Sequence, residues 1–314
     1  MFGLRKNVSL KDLTTFKVGG KADYFIEISQ KRKLIQVLRW AKKKNLSFFI
    51  LGNGSNVLFS DKGFKGLVIK IKNKKIRKTK KTLIAGAGIL LPELSNIFLK
   101  NGWVGLEWAN GIPGTLGGAI YGNAGAFGEE IKNIIKNVKT IDINSLKEKK
   151  YNREGCQFVY RESGFKEKKE IIWEAELITK KGNKKELKKK AEEFIKYKIG
   201  KGFFKYPSAG SVFKNIKIDE TPFSKFFKKN FVFINGKKVE VKAGKVSAGF
   251  FIEQCGLKGK KIGGAMISDF HANIIVNFDK AKAEEILFLI DLCKEKVYKK
   301  FKIQLKEEII VINT

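Results

Sequence analysis

Apolar residues recur at helical spacing in four parts of the chain. Between Ser29 and Asn45, the residues Leu34, Val37, Leu38 and Ala41 fall on one face with lysines opposite, which predicts a helix. The same reasoning predicts three more helices, over Leu91–Asn101, Lys184–Lys198 and Ala281–Phe301. We expect Lys184–Lys198 to be a basic surface helix. In the last helix, the residues expected to face inward are Ile286, Leu287, Ile290, Cys293 and Val297.

Short apolar runs bounded by glycine and polar residues predict strands. These runs are Phe48–Leu51, Val57–Phe59, Gly66–Ile71, Val138–Ile143, Ile171–Thr179 and Glu308–Ile312. The basic segment Lys72–Lys81 lies between strands, and we expect it to be a solvated hairpin. Strands mixed with inserted helices indicate an α+β fold.

Composition narrows the class of protein. The chain has 314 residues, of which 43% are hydrophobic and 12% aromatic, as in a globular protein of two or three domains. Its three cysteines are widely spaced, which favours a reducing compartment over a disulfide framework. With no C-x-x-C motif and a single histidine, His271, we expect no metal site.

The formal net charge of +34 first suggests a nucleic-acid-binding protein. However, 59 of the 65 basic residues are lysine, they are spread along the whole chain, and no nucleic-acid-binding motif accompanies them. We therefore expect no nucleic-acid partner, while a basic nucleic-acid-binding protein stays open as an alternative. Since no run of 18 apolar residues and no apolar leader region occurs, we expect a soluble, cytoplasmic protein without a membrane partner.

The stretch Gly105–Gly128 is rich in glycine. Because each glycine inside a regular element costs roughly 0.5–1 kcal/mol relative to alanine, the run favours neither helix nor strand. Glycine allows close approach of the backbone to a ligand, and its N–H groups can point at a phosphate. We therefore predict a dinucleotide-binding loop here; tight turns between short strands are the alternative.

A second glycine turn, Gly52–Asn56, lies between the predicted strands Phe48–Leu51 and Val57–Phe59. It is not a Rossmann fingerprint, because a strand rather than a helix follows it, and it lacks the Gly-Lys-Ser/Thr of a Walker loop. The remaining hypothesis is a cradle for a pyrophosphate, built from backbone amides, Ser55 and the side chains of Asn53 and Asn56.

Four further segments carry polar residues that could act in chemistry. They are Tyr160–Lys166, Pro207–Asn215, Gly256–Asn273 and Lys306–Ile310. An arginine, a carboxylate and a serine hydroxyl drawn from them could polarise a carboxylate substrate and deliver a proton.

Taken in order, these segments resemble the UDP-N-acetylenolpyruvoylglucosamine reductase family, which are FAD enzymes of peptidoglycan precursor synthesis. The resemblance begins at Thr14–Asp23 and runs to the final strand, and the motifs are specific only in combination. It implies an FAD-binding domain of the vanillyl-alcohol-oxidase type with two subdomains, plus a smaller α+β substrate-binding domain. The expected bounds are 1–206 for the FAD-binding domain, split near 71 and completed by 306–314, and 207–305 for the substrate-binding domain.

The resemblance also assigns the site residues. Arg161, Ser211 and Glu308 match the catalytic positions, with Ser211 as the general acid. Tyr160, Lys214 and Asn273 match segments that line the substrate cleft. The positions matching the FAD-binding segments are Gly52, Asn53, Gly54, Ser55, Asn56, Asn110, Gly111, Ile112, Pro113, Gly114, Gly117, Gly118, Gly122 and Asn123.

The chain departs from the family pattern in three places. Before the serine motif, the family's arginine and Gln-Pro pair are absent from Lys198–Pro207. The family's arginine two residues after the glutamate is Ile310 here. A lysine- and phenylalanine-rich insertion of about two dozen residues, Ile216–Lys242, follows the serine motif. The chain lacks the tyrosine-bearing loop of one subclass, so it resembles the shorter, second type.

The implied reaction is reduction of UDP-N-acetylglucosamine enolpyruvate to UDP-N-acetylmuramate, with noncovalent FAD and NADPH as co-substrate. The partners are then the nucleotide sugar and NADPH, and we expect a monomer. An FAD-dependent oxidase of the same superfamily is the nearest alternative. Such oxidases often carry covalent flavin, whereas neither glycine segment contains a histidine or cysteine.

Overall fold

The structure is a computed structural model and describes residues 3–228 and 230–313. Within these ranges the chain forms six α-helices: α1 Lys31–Lys43, α2 Leu91–Lys100, α3 Leu116–Tyr121, α4 Lys184–Gly200, α5 Ala248–Gln254 and α6 Ala283–Phe301.

The strands of the same ranges are short and numerous. They are β1 Arg5–Ser9, β2 Lys21–Ile28, β3 Phe48–Leu51, β4 Val57–Phe59, β5 Phe64–Ile71, β6 Ile76–Lys78, β7 Thr82–Gly86, β8 Gly125–Ala126, β9 Glu129–Glu130, β10 Ile135–Asp142, β11 Glu148–Asn152, β12 Glu170–Ile178, β13 Ser208–Ser211, β14 Ile216–Lys217, β15 Phe227–Lys228, β16 Phe231–Ile234, β17 Lys237–Glu240, β18 Lys245–Val246, β19 Lys261–Ile262, β20 Ala265–Ile267, β21 Ile274–Asn277 and β22 Ile310–Ile312.

The α+β fold predicted from the sequence is confirmed, and the chain divides into two compact units. The first unit comprises Met1–Ser9, Lys21–Gly54 and Phe64–Gly200. The second comprises Leu10–Gly20, Ser55–Gly63 and Lys201–Thr314. The domain bounds expected from the sequence stay a prediction.

The first unit contains two sheets that share one apolar core. One sheet has the order β1-β2-β5-β3, with β2, β5 and β3 parallel. The other is antiparallel, in the order β11-β10-β12-β7-β6. Helix α1 buries the predicted face of Leu34, Val37, Leu38 and Ala41 in this core, so the helical pattern is confirmed.

The second unit is built around the sheet β13-β21-β20-β19 and helix α6. Helix α6 buries Ile286, Ile290, Cys293 and Val297 as predicted, but Leu289 is buried where Leu287 was expected; Leu287 is half-buried at the edge of the core. The final strand β22 pairs in parallel with β4, which joins Ile310 to Val57 in register.

Of two predictions about local structure, the first is wrong and the second is confirmed. Residues Leu116–Tyr121 of the glycine-rich stretch are helical, whereas the glycine content favoured neither helix nor strand. Position 117 in this helix is glycine because a Cβ there would lie 3.0 Å from the Ala87 Cβ. The segment Lys72–Lys81 forms a solvated hairpin as predicted, since its exposed strand β6 pairs antiparallel with β7, which directly follows the segment. In the described residues, no helix combines the length and apolar character needed to cross a membrane.

Candidate active site

The turn Gly52–Asn56 joins β3 to β4, as the sequence predicts. In the first unit, Asn53 Nδ2 donates to the Pro113 carbonyl oxygen at 2.7 Å. A Cβ on Gly52 would lie 2.6 Å from Thr115 Oγ1, so the backbone of the turn packs against the Thr115 side chain as closely as glycine allows. Gly54, with φ of +66°, supplies the left-handed conformation that the turn needs. The structure thus brings together two segments predicted separately to bind the cofactor.

The glycine amides of α3 are used inside the protein. Gly117 N donates to the Ala87 carbonyl oxygen at 2.8 Å, and Gly118 N donates to Thr115 Oγ1, the helix N-cap, at 3.2 Å. These glycines therefore serve close packing and capping. The N–H groups of Gly117 and Gly118 therefore do not point at a phosphate, contrary to the expectation for the glycines of this stretch.

Asn123 closes the loop in a constrained position. It is fully buried and adopts a left-handed backbone with φ of 41°. Its Nδ2 donates to the Val159 carbonyl oxygen at 2.8 Å and to Glu130 Oε2 at 3.2 Å, while its Oδ1 has no donor among the described residues. A buried amide oxygen without a donor is costly, and a ligand that carries N–H or O–H groups would satisfy it.

Arg161 lies in a strained turn. Its backbone has φ of 58°, a conformation that costs a non-glycine residue energy and often marks a functional position. Its Nη2 donates to the Gly125 carbonyl oxygen at 2.7 Å, and its guanidinium lies 5.1 Å from the Tyr160 ring centroid. Ser163 Oγ anchors the turn by donating to the Tyr121 carbonyl oxygen at 2.8 Å.

Lys198 is the residue that sequence reasoning missed. It is the last residue of the predicted basic surface helix Lys184–Lys198, but it is only 8% exposed and its Nζ donates to the Asn110 carbonyl oxygen at 3.2 Å. Its burial depends on contacts with the glycine-rich loop, which the helical pattern of α4 does not encode.

In the second unit, the strand that carries Ser211 runs antiparallel to the segment that carries Glu308. Lys214 N donates to the Lys306 carbonyl oxygen at 2.9 Å, and Glu308 N donates to the Val212 carbonyl oxygen at 2.7 Å. Ser211 itself pairs with Ile274 of β21. The predicted proton donor, the predicted lysine and the predicted carboxylate therefore lie on neighbouring extended segments of one unit.

Asn56, also in the second unit, binds the same segment. Its Nδ2 donates to the Glu308 carbonyl oxygen at 3.0 Å, and its own carbonyl oxygen accepts from Ile310 N at 2.9 Å. Asn56, with Ser55, belongs to the second unit, whereas Gly52, Asn53 and Gly54 belong to the first.

The segment Gly256–Asn273 is a set of turns stabilised by its own polar side chains. Ser268 Oγ accepts from the N–H groups of Phe270 and His271, at 3.2 and 3.3 Å. His271 Nδ1 accepts from Asn273 N at 3.2 Å, and burial lowers the pKa of His271. Both amide atoms of Asn273 bind the Phe213 backbone. The described residues hold no group of three or more His, Cys, Asp or Glu side chains fit to bind a metal ion.

The residues present fit FAD. The unsatisfied Asn123 Oδ1 suits the N–H and hydroxyl donors of a flavin, and the buried ammonium of Lys198 suits an anion. Residues 22–145 match the FAD binding domain family. Fold and site together define the class of the protein as an FAD-binding flavoprotein.

Comparison with known proteins narrows the class to one family. Residues 203–312 match the C-terminal domain of UDP-N-acetylenolpyruvoylglucosamine reductase. Proteins of that name from Carboxydothermus hydrogenoformans and Prochlorococcus marinus are 39% and 36% identical, and each alignment covers 98% of this chain and at least 93% of the relative. The crystal structure of the reductase MurB from Thermus caldophilus is similar, with TM-score 0.77 and 30% identity over 99% of this chain and 100% of that one. The chain belongs to the UDP-N-acetylenolpyruvoylglucosamine reductase family.

Proposed function

We propose that this chain reduces UDP-N-acetylglucosamine enolpyruvate to UDP-N-acetylmuramate in peptidoglycan precursor synthesis, with noncovalent FAD and NADPH as co-substrate. The observation that carries the proposal is similarity across both units to reductases of this name, at 39% identity over 98% of the chain. The match of residues 22–145 to an FAD binding domain supports the cofactor independently.

FAD would be held by the turn Gly52–Asn56 and the loop Asn110–Asn123. When bound, it supplies the two-electron carrier between NADPH and the enolpyruvyl group. The contribution of this chain is to position and polarise. The contact of Asn53 with the Pro113 carbonyl oxygen supports a preformed cradle, because it fixes one segment against the other.

Arg161 would bind the carboxylate of the enolpyruvyl group. The planar guanidinium matches a carboxylate in two parallel hydrogen bonds and stabilises the negative charge that develops as the terminal carbon receives hydride. The strained backbone of Arg161 and its bond to the Gly125 carbonyl oxygen support this role, because both restrict where the guanidinium can lie. Tyr160 would line the same cleft.

Ser211 would donate a proton to the carbon next to the one that receives hydride, which completes the saturated lactyl ether. A hydroxyl is a weak acid in water, so its alkoxide needs a nearby positive charge, for which we propose Lys214. Glu308 would act with Arg161 on the charge that develops at the substrate. The adjacent backbones of Ser211, Lys214 and Glu308 support the assignment.

Asn273 would act differently from the expectation of a substrate contact. Its amide is engaged with the Phe213 backbone on both sides, so we propose that it positions the Ser211 strand. We further propose that the protein is a cytoplasmic monomer. We also propose that it has no nucleic-acid partner, because its lysines are spread along the whole chain rather than clustered.

The test is a rate measurement with two electron acceptors. The full-length chain with FAD is mixed with NADPH, and the loss of NADPH absorbance is followed with the enolpyruvyl nucleotide sugar under nitrogen, then with oxygen alone. We expect fast loss with the nucleotide sugar and slow loss with oxygen. Fast loss with oxygen alone would support an oxidase instead.

A further inference from the structure

Lys198 carries a buried positive charge in an unusual setting. Among the described residues it is the only buried lysine or arginine, with 8% of its surface exposed. Burying an ammonium group is costly unless an anion or several acceptors compensate it. The contacts of Lys198 show how far the protein provides this compensation.

The protein compensates the buried ammonium charge only in part. Lys198 Nζ donates to one neutral acceptor, the Asn110 carbonyl oxygen, at 3.2 Å, and lies 5.9 Å from the Phe127 ring centroid. Within residues 3–228 and 230–313 it forms no ion pair. An ammonium group has three N–H donors, so one carbonyl oxygen leaves most of its capacity unused.

The carboxylates on the elements packed against α4 bind other partners, and those on the C-terminal half of α4 itself, Glu192 and Glu193, are exposed and form no ion pair with Lys198. Glu93 of α2 pairs with Lys74, Glu107 accepts from Gly105 N, Glu129 accepts from Asn133, and Glu130 accepts from Asn123 and pairs with Lys132. The other ionisable groups nearby are Lys100 on α2 and Lys190, Glu192, Glu193, Lys196 and Tyr197 on α4 itself. Burial lowers the pKa of Lys198 to about 8.

The position of Lys198 is fixed by aromatic packing. Phe127 stacks on Phe194 of α4 with ring centroids 4.0 Å apart, and Tyr197 meets the same ring edge-on at 5.6 Å. This contact holds the last turns of α4 against the end of the glycine-rich stretch Gly105–Gly128. The ammonium group is thereby held at Asn110, the first residue of the loop proposed to bind the cofactor.

We propose that Lys198 binds an anionic group of the FAD cofactor. The proposal rests on the proposed function, since it needs FAD to lie on the Asn110–Asn123 loop. Two parts of FAD have this chemistry, namely the diphosphate and the isoalloxazine ring, which becomes an anion when reduced. In either case the anion completes the coordination that the protein leaves open.

This role predicts that the Kd of FAD depends on pH, because Lys198 must be protonated to bind an anion. An anion favours the charged form of Lys198, so binding raises the pKa of its ammonium group above about 8. Binding then takes up one proton above that pH, and the Kd of the cofactor rises by about tenfold per pH unit. Lys198→Arg stays charged and removes the dependence, whereas Lys198→Met removes both the charge and the dependence.

The experiment titrates flavin-free, full-length chain with oxidised FAD between pH 7 and 9.5, following quenching of flavin fluorescence. If the diphosphate is the anion, wild-type Kd rises above pH 8, and Lys198→Met binds about 10- to 100-fold more weakly at pH 7 with a flat profile. If the reduced ring is the anion, oxidised FAD binds both chains alike, but Lys198→Met lowers the midpoint potential of the bound flavin. The matched control, Lys196→Met, changes an exposed lysine of the same helix and follows wild type.

Thermal melting of the flavin-free variants separates this role from a structural one. Replacing a buried, poorly compensated ammonium by methionine removes a desolvation cost, so Lys198→Met melts no lower than wild type. The proposal is overturned if Lys198→Met matches wild type in both Kd profile and midpoint potential, or if it loses FAD only because it melts lower. A wild-type chain that binds no FAD at all contradicts the proposed function instead.

Discussion

Asn273 holds the backbone of Phe213 through both ends of its side-chain amide. Its Oδ1 accepts from Phe213 N at 3.0 Å, and its Nδ2 donates to the Phe213 carbonyl oxygen at 2.8 Å. Its own carbonyl oxygen accepts from Val212 N at 2.8 Å. Because Ser211 directly precedes these residues, Asn273 determines the course of the chain just after the proposed proton donor.

Replacing Asn273 by alanine leaves the N–H and carbonyl groups of buried Phe213 without partners. Each unsatisfied buried group costs about 1–3 kcal/mol, so we expect Asn273→Ala, which leaves two such groups, to lose about 2–6 kcal/mol of stability. Thermal denaturation followed by circular dichroism measures this. The control is Asn215→Ala, since exposed Asn215 accepts one bond from Ala248 N at 3.3 Å. Equal melting temperatures of the two variants would show that the two bonds from Asn273 to the Phe213 backbone do not stabilise the protein.

Ser211→Ala should bind FAD and accept electrons from NADPH at close to the wild-type rate. The substitution keeps the backbone pairing of residue 211 with Ile274 and removes only the hydroxyl. Loss of a proton donor typically slows a reaction by about 10²–10⁴, so reoxidation of the reduced enzyme by the nucleotide sugar should slow by that factor. Ser211→Cys should recover part of the loss, because a thiol also donates a proton. Stopped-flow absorbance separates the two half-reactions, and reoxidation within a few-fold of wild type would rule out the role.

Arg161→Lys should slow transfer to the nucleotide sugar much more than reduction by NADPH. Lysine keeps the positive charge but lacks the planar pair of donors that fits a carboxylate. The matched control is Arg153→Lys, which changes an exposed arginine paired with Glu154 and should leave both half-reactions unchanged. An equal slowing of both half-reactions by Arg161→Lys would indicate a structural role, such as its bond to the Gly125 carbonyl oxygen, instead of substrate binding.

The flavin should be FAD and should not be covalently attached. No histidine or cysteine occurs in Gly52–Asn56 or Asn110–Asn123, and Cys156 of the first unit is buried, with burial raising the pKa of its thiol to about 11. Acid precipitation of the purified chain should release all flavin to the supernatant, where chromatography identifies it. Flavin that stays with the precipitate would contradict this.

Two strands could be predicted from the sequence to the residue, and the other strands predicted from apolar runs were located to within a few residues. Strands β3 and β4 have the predicted bounds, because apolar runs end at the glycine turn Gly52–Asn56. Helix α1 is two residues shorter at each end than predicted, while its buried face is as predicted. A resemblance of motifs in their order gave the family, since local pattern alone defines no cofactor.

Features that depend on tertiary contact could not be predicted. Helix α3 tolerates Gly117 only because that residue packs on Ala87, which is distant in sequence. The burial of Lys198 likewise depends on the Asn110 loop. The insertion did carry a usable signal, because Asn235-Gly236 forms a tight turn with both φ values positive between the antiparallel strands β16 and β17.

The central claim is tested most directly by identifying the product. The full-length chain with FAD is incubated under nitrogen with NADPH and UDP-N-acetylglucosamine enolpyruvate, and the nucleotide sugar is analysed by mass spectrometry against the loss of NADPH. The account predicts UDP-N-acetylmuramate, formed in equal amount to the NADPH consumed. Unchanged nucleotide sugar, with NADPH consumed only when oxygen is admitted, would contradict it.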